Sequence, residues 1–396
     1  MRVLIDDAPF RPPLTGVGRY AVGLVGAVAA LTRAVDFAVL SGRRLVKLEE
    51  ALGPAPSSAG AGSSSRLSPR LLELPGALAF WRAMKGHAVH HGRGFDLYHA
   101  LNFQPACRVH CPLLPVVHDL AHERIAQHVS DRIKRVLAPL EGQLRHVPLV
   151  QTVSEFTKRE IVEIYGLSAD RIVVVRAGVA VPAGRPSGPA AQARMLDRFG
   201  LRPRAFFLTV GSAGARKNLA VAIAAYARLP ARLRLATPLV MAGPPSFESS
   251  ELLLSAERLG IGRNIQSIGF VDEAKLDALY RNASMLLFPS IYEGYGLPVA
   301  EALARGTPVA IAPGTAAEEA AQGRAVLVES RDVEGWTEVM RLAIDDPDLC
   351  RERASGYELR PWAAAATEVL GVYARVMQIA GGPARTPGFP RECVTV

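Results

Sequence analysis

The sequence predicts an α/β protein made of two doubly wound parallel sheets that face each other across a cleft. Three observations point there. Short apolar runs alternate with helical patterns along both halves of the chain. Those runs are apolar throughout, as strands covered on both faces must be. The length of 396 residues, with 49% hydrophobic and 21% charged, suits two domains of roughly 150–200 residues and excludes a disordered or fibrous chain.

In the first half, Val3-Leu4-Ile5 reads as a buried strand. A Thr-Gly-Val-Gly turn, Thr15 to Gly18, leads into a helix from Arg19 to about Leu31. Further apolar runs at Phe37–Leu40, Leu71–Leu74, Leu97–Leu101, Leu113–Val117, Leu149–Val153 and Ile172–Val175 read as strands. Helical patterns cover Asp131–Arg145 and Glu155–Tyr165. The second half repeats the plan. Strands are expected at Phe206–Val210, Leu239–Ala242, Ile265–Ile268, Met285–Phe288, Val309–Ala312 and Val326–Val328. Helices fit Asn218–Arg228, Glu248–Leu259, Glu273–Asn282, Leu297–Arg305 and Val333–Ile344.

The expected division is residues 1–180, a linker at 181–204, residues 205–362, and a loose tail from 381 to 396. The linker is placed by Pro182, Pro186, Pro189 and Pro203. Gly53 to Pro69 is rich in Gly, Ala, Ser and Pro and reads as a loop that closes over a substrate or as a plain insertion. In open parallel sheets ligands bind beyond the carboxyl ends of the strands, so the cleft is the default site.

The formal charge is +9, and the excess sits early: residues 1–190 hold 23 Lys+Arg against 15 Asp+Glu. That half should prefer an anionic partner such as a lipid surface or a phosphorylated acceptor. Arg132-Ile-Lys-Arg135 and Arg43-Arg44 read either as contacts to anionic headgroups or as solvated arginines. Nucleic acid is disfavoured, because the basic residues are not interleaved with aromatics, which make up 6% of the chain. Cys107, Cys111, Cys350 and Cys393 do not form a disulfide framework. All nine histidines lie between His87 and His146, yet neither they nor Cys107 and Cys111 follow a metal-ligand spacing, so no metal site is expected. The N-terminus lacks a signal-peptide pattern, and Ala21 to Leu31 is too short to span a bilayer, which points to the cytosol with room for peripheral membrane contact.

The chemistry is concentrated in Phe288-Pro-Ser-Ile-Tyr-Glu-Gly-Tyr-Gly-Leu-Pro-Val-Ala-Glu-Ala-Leu-Ala-Arg-Gly-Thr-Pro-Val. A strand ends at Phe288, a loop carries Glu293, Gly294 and Gly296, and a helix starts near Leu297 with Pro298 in its first turn. The glycines admit a ligand close to the backbone, and the start of a helix suits phosphate. Glu301 follows Glu293 by eight residues, a rise of about 12 Å if helical, comparable to the span of a nucleotide sugar. One carboxylate then holds ribose hydroxyls, the other sugar hydroxyls, with the diphosphate between. Arg216 and Lys217 stand at a helix start, where cations are unfavourable, so a ligand anion explains them better than solvation does. His118 ends the run Leu114-Pro-Val-Val-His and should emerge at the strand's carboxyl end, facing the cleft.

Here the sequence resembles the retaining glycosyltransferases of family 4, which have the GT-B fold of two Rossmann-like domains. The resemblance rests on Glu293 to Glu301 within YEGYGLPVAEALARGTPV and on Val210-Gly-Ser-Ala-Gly-Ala-Arg-Lys-Asn-Leu219. It is supported by Val153-Ser-Glu-Phe-Thr-Lys-Arg-Glu160, Thr15-Gly-Val-Gly-Arg-Tyr20 and Val117-His-Asp-Leu120, in the family's order. The nearest branch is that of the mannosyltransferases that use GDP-mannose in polysaccharide and O-antigen assembly. The resemblance implies Arg216 and Lys217 on the donor diphosphate, Glu301 on the ribose, and Glu293 and His118 near the transferred sugar. It implies Gly294, Tyr295, Gly296 and Leu297 as the loop whose backbone meets sugar and phosphates, with Gly211 beside it. Gly16 and Gly18 match the glycine turn that approaches the donor phosphate or acceptor. Asp119 either orients His118 or caps the next segment. The final helix, about 363–380, is expected to return to the first domain. Ile311-Ala-Pro-Gly-Thr-Ala-Ala-Glu-Glu-Ala departs from the family's pattern, with Glu319 at the place of its Glu.

The implied reaction needs a nucleotide-sugar co-substrate (GDP-mannose favoured over a UDP-sugar), no metal, and a glycan or lipid-diphosphate-linked acceptor. Two rivals are an NAD-dependent enzyme and a non-catalytic sugar- or nucleotide-binding protein. The first lacks a G-x-G-x-x-G between strand and helix, Gly211-Ser-Ala-Gly214 being a partial echo. The second is opposed by Glu293, Lys217 and His118 all being present.

Overall fold

The computed structural model describes residues 1–42, 44–53, 94–107, 110–181, 189–245 and 247–381. The expected strand at Leu71–Leu74, the loop beyond Gly53, Arg43, His87, the linker residues 182–188, Cys393 and the tail beyond Gly381 lie outside them.

Strands β1 (Arg2–Asp6), β2 (Asp36–Ser41), β3 (Arg44–Lys47), β4 (Leu97–Ala100), β5 (Leu113–Val117), β6 (Val150–Thr152) and β7 (Ile172–Val174) form one sheet in the order β3-β2-β1-β4-β5-β6-β7. All neighbours are parallel except β2 and β3, a hairpin that the sequence reading did not foresee. The strand sequence Arg-Leu-Val-Lys is short and charged at both ends, which suits a protected sheet edge.

The second sheet joins β8 (Phe207–Val210), β9 (Leu239–Ala242), β10 (Ile265–Gly269), β11 (Met285–Phe288), β12 (Val309–Ile311) and β13 (Val326–Leu327). Its order is β10-β9-β8-β11-β12-β13, all parallel, which is the doubly wound order with its crevice between β8 and β11. The expectation of two Rossmann-like α/β domains is met. Both sheets are covered on both faces. In β1, Val3 and Ile5 face one apolar cluster while Leu4 faces another, the alternation a strand imposes.

Several boundaries move, each for a local reason. The first helix runs Gly16–Leu31, starting earlier than expected, because the Thr15 hydroxyl accepts from the Gly18 N–H and caps it. The single helix expected over Asp131–Arg145 is two, Asp131–Leu137 and Leu140–Leu144, broken at Pro139. Residues Pro189–Asp197 form a helix, and Leu196 and Leu201 are buried in the core of the second sheet's lobe. The last helix, Trp362–Ile379, lies against Gly16–Leu31 and supplies Ala365, Ala366, Val369, Tyr373 and Val376 to the core of the first lobe. A Cβ at Gly23 would sit 2.2 Å from the Trp362 ring, so only glycine admits this contact.

Candidate active site

The carboxyl ends of both sheets open onto one cavity of about 390 Å³, within the range of small-molecule sites. Gly16, His118, Gly211, Arg216, Lys217, Glu293, Gly294, Tyr295, Gly296, Leu297 and Glu301 all line it. Eleven of the twelve residues selected from sequence are thereby brought together. Gly18 is not among the lining residues. A Cβ there would fall 2.5 Å from the Pro9 carbonyl oxygen, so its glycine serves packing of the helix on the Ala8–Phe10 turn.

At one end, the loop after β8 forms a turn of 3₁₀ helix, Ala215–Lys217, and the loop after β11 brings Glu293 to it. Lys217 Nζ donates to Glu293 Oε1 at 2.6 Å, and Arg216 Nη1 reaches Oε2 at 3.0 Å. Lys217 Nζ also lies 4.4 Å from the centre of the Phe288 ring. Lys217 and Glu293 are buried. Burial alone would push the Glu293 carboxyl up, yet Lys217 and Arg216 hold it down at about 2. Burial pushes the Lys217 ammonium downward, opposed by Glu293. The anion inferred from sequence for the two cations is thus supplied in part by the protein. Asp119 lines the same cavity and its charge also favours the charged forms of Arg216 and Lys217, so two carboxylates face the two cations.

Asn218 takes a left-handed conformation, φ 52°, and its side-chain amide donates to the Pro289 and Ser330 carbonyls, which anchors the basic turn. Gly211 at the end of β8 has φ 121° and Gly296 before the Leu297–Leu303 helix has φ 100°, conformations that disfavour any side chain.

His118 follows β5. Its Nε2 lies 2.8 Å from the Leu101 carbonyl oxygen, so Nε2 carries the proton and Nδ1 is the acceptor. Burial lowers its basicity, which keeps the ring neutral at pH 7. Tyr20 and Phe103 meet the ring edge-on at 5.4 and 5.6 Å. The Asp119 carboxylate accepts from the Ala121 N–H, so it caps the next segment, the second of its two expected roles.

At the other end Glu301 is buried and accepts at Oε2 from the Tyr280 hydroxyl, 2.9 Å. Its Oε1 receives Arg19 Nη2 at 2.6 Å. Arg19, from the first lobe, was not selected from sequence. The reasoning applied to Arg216 and Lys217, a cation in the first turn of a helix, would have found it.

The lobes meet through further contacts that the sequence did not disclose. The Leu120 N–H donates to the Tyr292 hydroxyl, which donates to Glu160 Oε2. Ser154 Oγ donates to the Gly294 carbonyl at 2.7 Å. Glu319 accepts from the backbone N–H groups of Glu155 and Phe156, capping the Glu155–Tyr165 helix from the opposite lobe. A Cβ at Gly294 would stand 1.9 Å from the His118 carbonyl oxygen, so this close approach requires glycine. Among the described residues, no group of three or more His, Cys, Asp or Glu is placed to hold a metal ion, and no helix is long and apolar enough to cross a membrane.

Comparison with known proteins adds a consistent picture. Residues 14–181 match the family model "Glycosyltransferase Family 4", and residues 198–357 match "Glycosyl transferases group 1". O-antigen chain mannosyltransferase B of Escherichia coli is 26% identical over 384 residues, covering 94% of this chain and 99% of that protein. Sucrose-phosphate synthase from Thermosynechococcus elongatus superposes with a TM-score of 0.73 at 18% identity, covering 96% of this chain and 99% of that one. HepE from Anabaena, solved with UDP and glucose, gives a TM-score of 0.65 at 18% identity over 96% of this chain and 98% of its own. At such identities the two structures establish likeness of fold.

Proposed function

The chain belongs to glycosyltransferase family 4, with the GT-B fold, and is a glycosyltransferase; from that premise we propose that it moves mannose from GDP-mannose to a glycan or lipid-diphosphate-linked acceptor in surface polysaccharide assembly, with retention of anomeric configuration. The mannosyl donor is supported by the near full-length likeness to an O-antigen mannosyltransferase. One observation carries the reading: half-buried Arg216 and buried Lys217, both bonded to Glu293, stand together in the cleft between the lobes.

A nucleoside diphosphate leaves with growing negative charge, and fixed cations already in place stabilise that charge without reorganising. Arg216 and Lys217 take this role, in which a divalent metal is not needed. Glu293 keeps both side chains in place and faces the transferred sugar. On the route that the family resemblance implies, the acceptor hydroxyl attacks the sugar's anomeric carbon on the face from which the diphosphate departs, and a leaving phosphate oxygen takes its proton. Neutral His118 offers Nδ1 to a sugar hydroxyl. Glu301 takes the ribose hydroxyls. The protein contributes position and charge.

On this reading, residues 1–180 with the last helix form the acceptor lobe and 205–362 the donor lobe. Ile133 and Val136 are exposed beside Arg132, Lys134 and Arg135 on the acceptor lobe, an arrangement suited to an anionic lipid surface at the cytosolic face. A calorimetric donor screen tests the assignment: GDP-mannose should bind more tightly than UDP-glucose, UDP-galactose, UDP-N-acetylglucosamine or UDP. Tighter binding of a UDP-sugar would overturn the mannosyl reading. The anomeric coupling of the product, read by NMR, tests retention, and sedimentation with anionic against zwitterionic vesicles tests the membrane contact.

A further inference from the structure

Glu301 has two donors on it and capacity for two more. Arg19 occupies Oε1 and the Tyr280 hydroxyl occupies Oε2. An ionised carboxylate offers about four lone-pair sites. The two that remain match the two hydroxyl donors of a vicinal diol.

Arg19 has no local reason to be where it is. It lies in the first turn of the Gly16–Leu31 helix, where the helix dipole opposes a cation. Instead of turning to solvent, it reaches across the cleft. Besides Glu301 it contacts Glu273 of the second lobe, Nη1 to Oε1 at 2.8 Å. Its side chain is 27% exposed and lines the same cavity as the basic cluster.

We infer that Arg19 is a positioning residue for the nucleoside end of the site: bonded across the cleft, it holds the Glu301 carboxylate in the orientation that accepts a ribose 2′,3′-diol. The inference rests on the reading of Glu301 as the ribose-binding acid. Burial pushes the Glu301 carboxyl upward, and Arg19 is the foremost group opposing that push. One lobe therefore completes a subsite whose acid belongs to the other, and the diol is held fully only when the lobes are closed.

The experiment compares GDP with 2′,3′-dideoxy-GDP by calorimetry, with the uridine pair in parallel and the tighter nucleotide scored. Wild type, Arg19→Met, Arg19→Lys and Glu301→Gln are measured. Wild type should prefer the diol-bearing nucleotide by at least about tenfold, since hydrogen bonds to a charged acceptor are among the stronger ones. Arg19→Met and Glu301→Gln should each bring that preference to within about threefold. Arg19→Lys should lie between, keeping the charge but losing the fork. If Arg19→Met keeps the wild-type preference while Glu301→Gln loses it, or weakens both nucleotides equally, Arg19 is a lobe contact only and the inference falls while the role of Glu301 stands. If wild type itself shows no preference, the ribose reading of Glu301 fails and takes the inference with it.

Discussion

Replacing Glu293 by glutamine removes one negative charge from its cluster with buried Lys217 and half-buried Arg216 while keeping its shape. In the native protein Oε1 accepts from Lys217 at 2.6 Å and Oε2 meets Arg216 at 3.0 Å. Although burial opposes ionisation, these cations hold the carboxyl at about 2 against an ordinary 4.5. The gap corresponds to about 3 kcal/mol of folding stability, matching the scale of breaking a buried ion pair by removing one partner. Because the carboxyl is depressed, this stability is fully present above about pH 4.5 and is lost as pH falls through about 2. Glu293→Gln should therefore melt on the order of 10 °C lower at pH 7, and the difference from wild type should close on acidification. A diphosphate restores negative charge to the two cations, so GDP should raise the melting temperature more in the variant than in wild type. Turnover should fall at least about tenfold, roughly 1.4 kcal/mol of transition-state stabilisation. Differential scanning calorimetry at pH 7 and pH 3, with and without GDP, reads the stability outcomes. A variant melting within a degree of wild type at pH 7, or a difference that widens on acidification, would refute the reasoning.

Gly294→Ala places a methyl group 1.9 Å from the His118 carbonyl oxygen, so the lobes should be held apart: turnover should fall at least about a hundredfold with each lobe still folded, and small-angle scattering should show a more open particle. Burial keeps His118 neutral, so kcat against pH should show no limb near the ordinary histidine value of 6.5; a limb there that disappears in His118→Gln would contradict the assignment. Tyr292→Phe removes the acceptor for the Leu120 N–H and the donor to Glu160, which should cost about 1–3 kcal/mol of stability in a chemical melt. Lys217→Met should lower turnover at least about tenfold, measured at saturating donor and unaffected by adding a metal chelator.

The fold was legible because buried parallel strands leave a plain trace. Met285–Phe288 and Glu273–Asn282 begin and end where the apolar run and the helical pattern placed them. The hairpin strand Arg44–Lys47 was not, since four residues with charged ends look like a loop. The break at Pro139 was legible in principle: proline cannot continue a helix, yet the apolar period runs on through it. Of the site, the Glu293-to-Glu301 segment and the basic turn were readable because their residue types conflict with an ordinary surface helix. The contacts across the cleft were not. Arg19 and Glu301 are 282 positions apart, and Glu155 and Glu319 are 164 apart, so only the folded geometry makes them partners. Gly18 and Gly294 show the same limit. Both look like ligand glycines in sequence; Gly18 lies outside the cavity and serves helix packing, while Gly294 lines it and also lets the two lobes approach.

The central claim is that Arg216 and Lys217 hold the donor's pyrophosphate. Calorimetric titration of guanosine and GDP into wild type, Arg216→Met and Lys217→Met tests it most directly. The account predicts that wild type binds GDP far more tightly than guanosine and that each variant loses most of that difference while binding guanosine as before. Variants that bind GDP as tightly as wild type would contradict it.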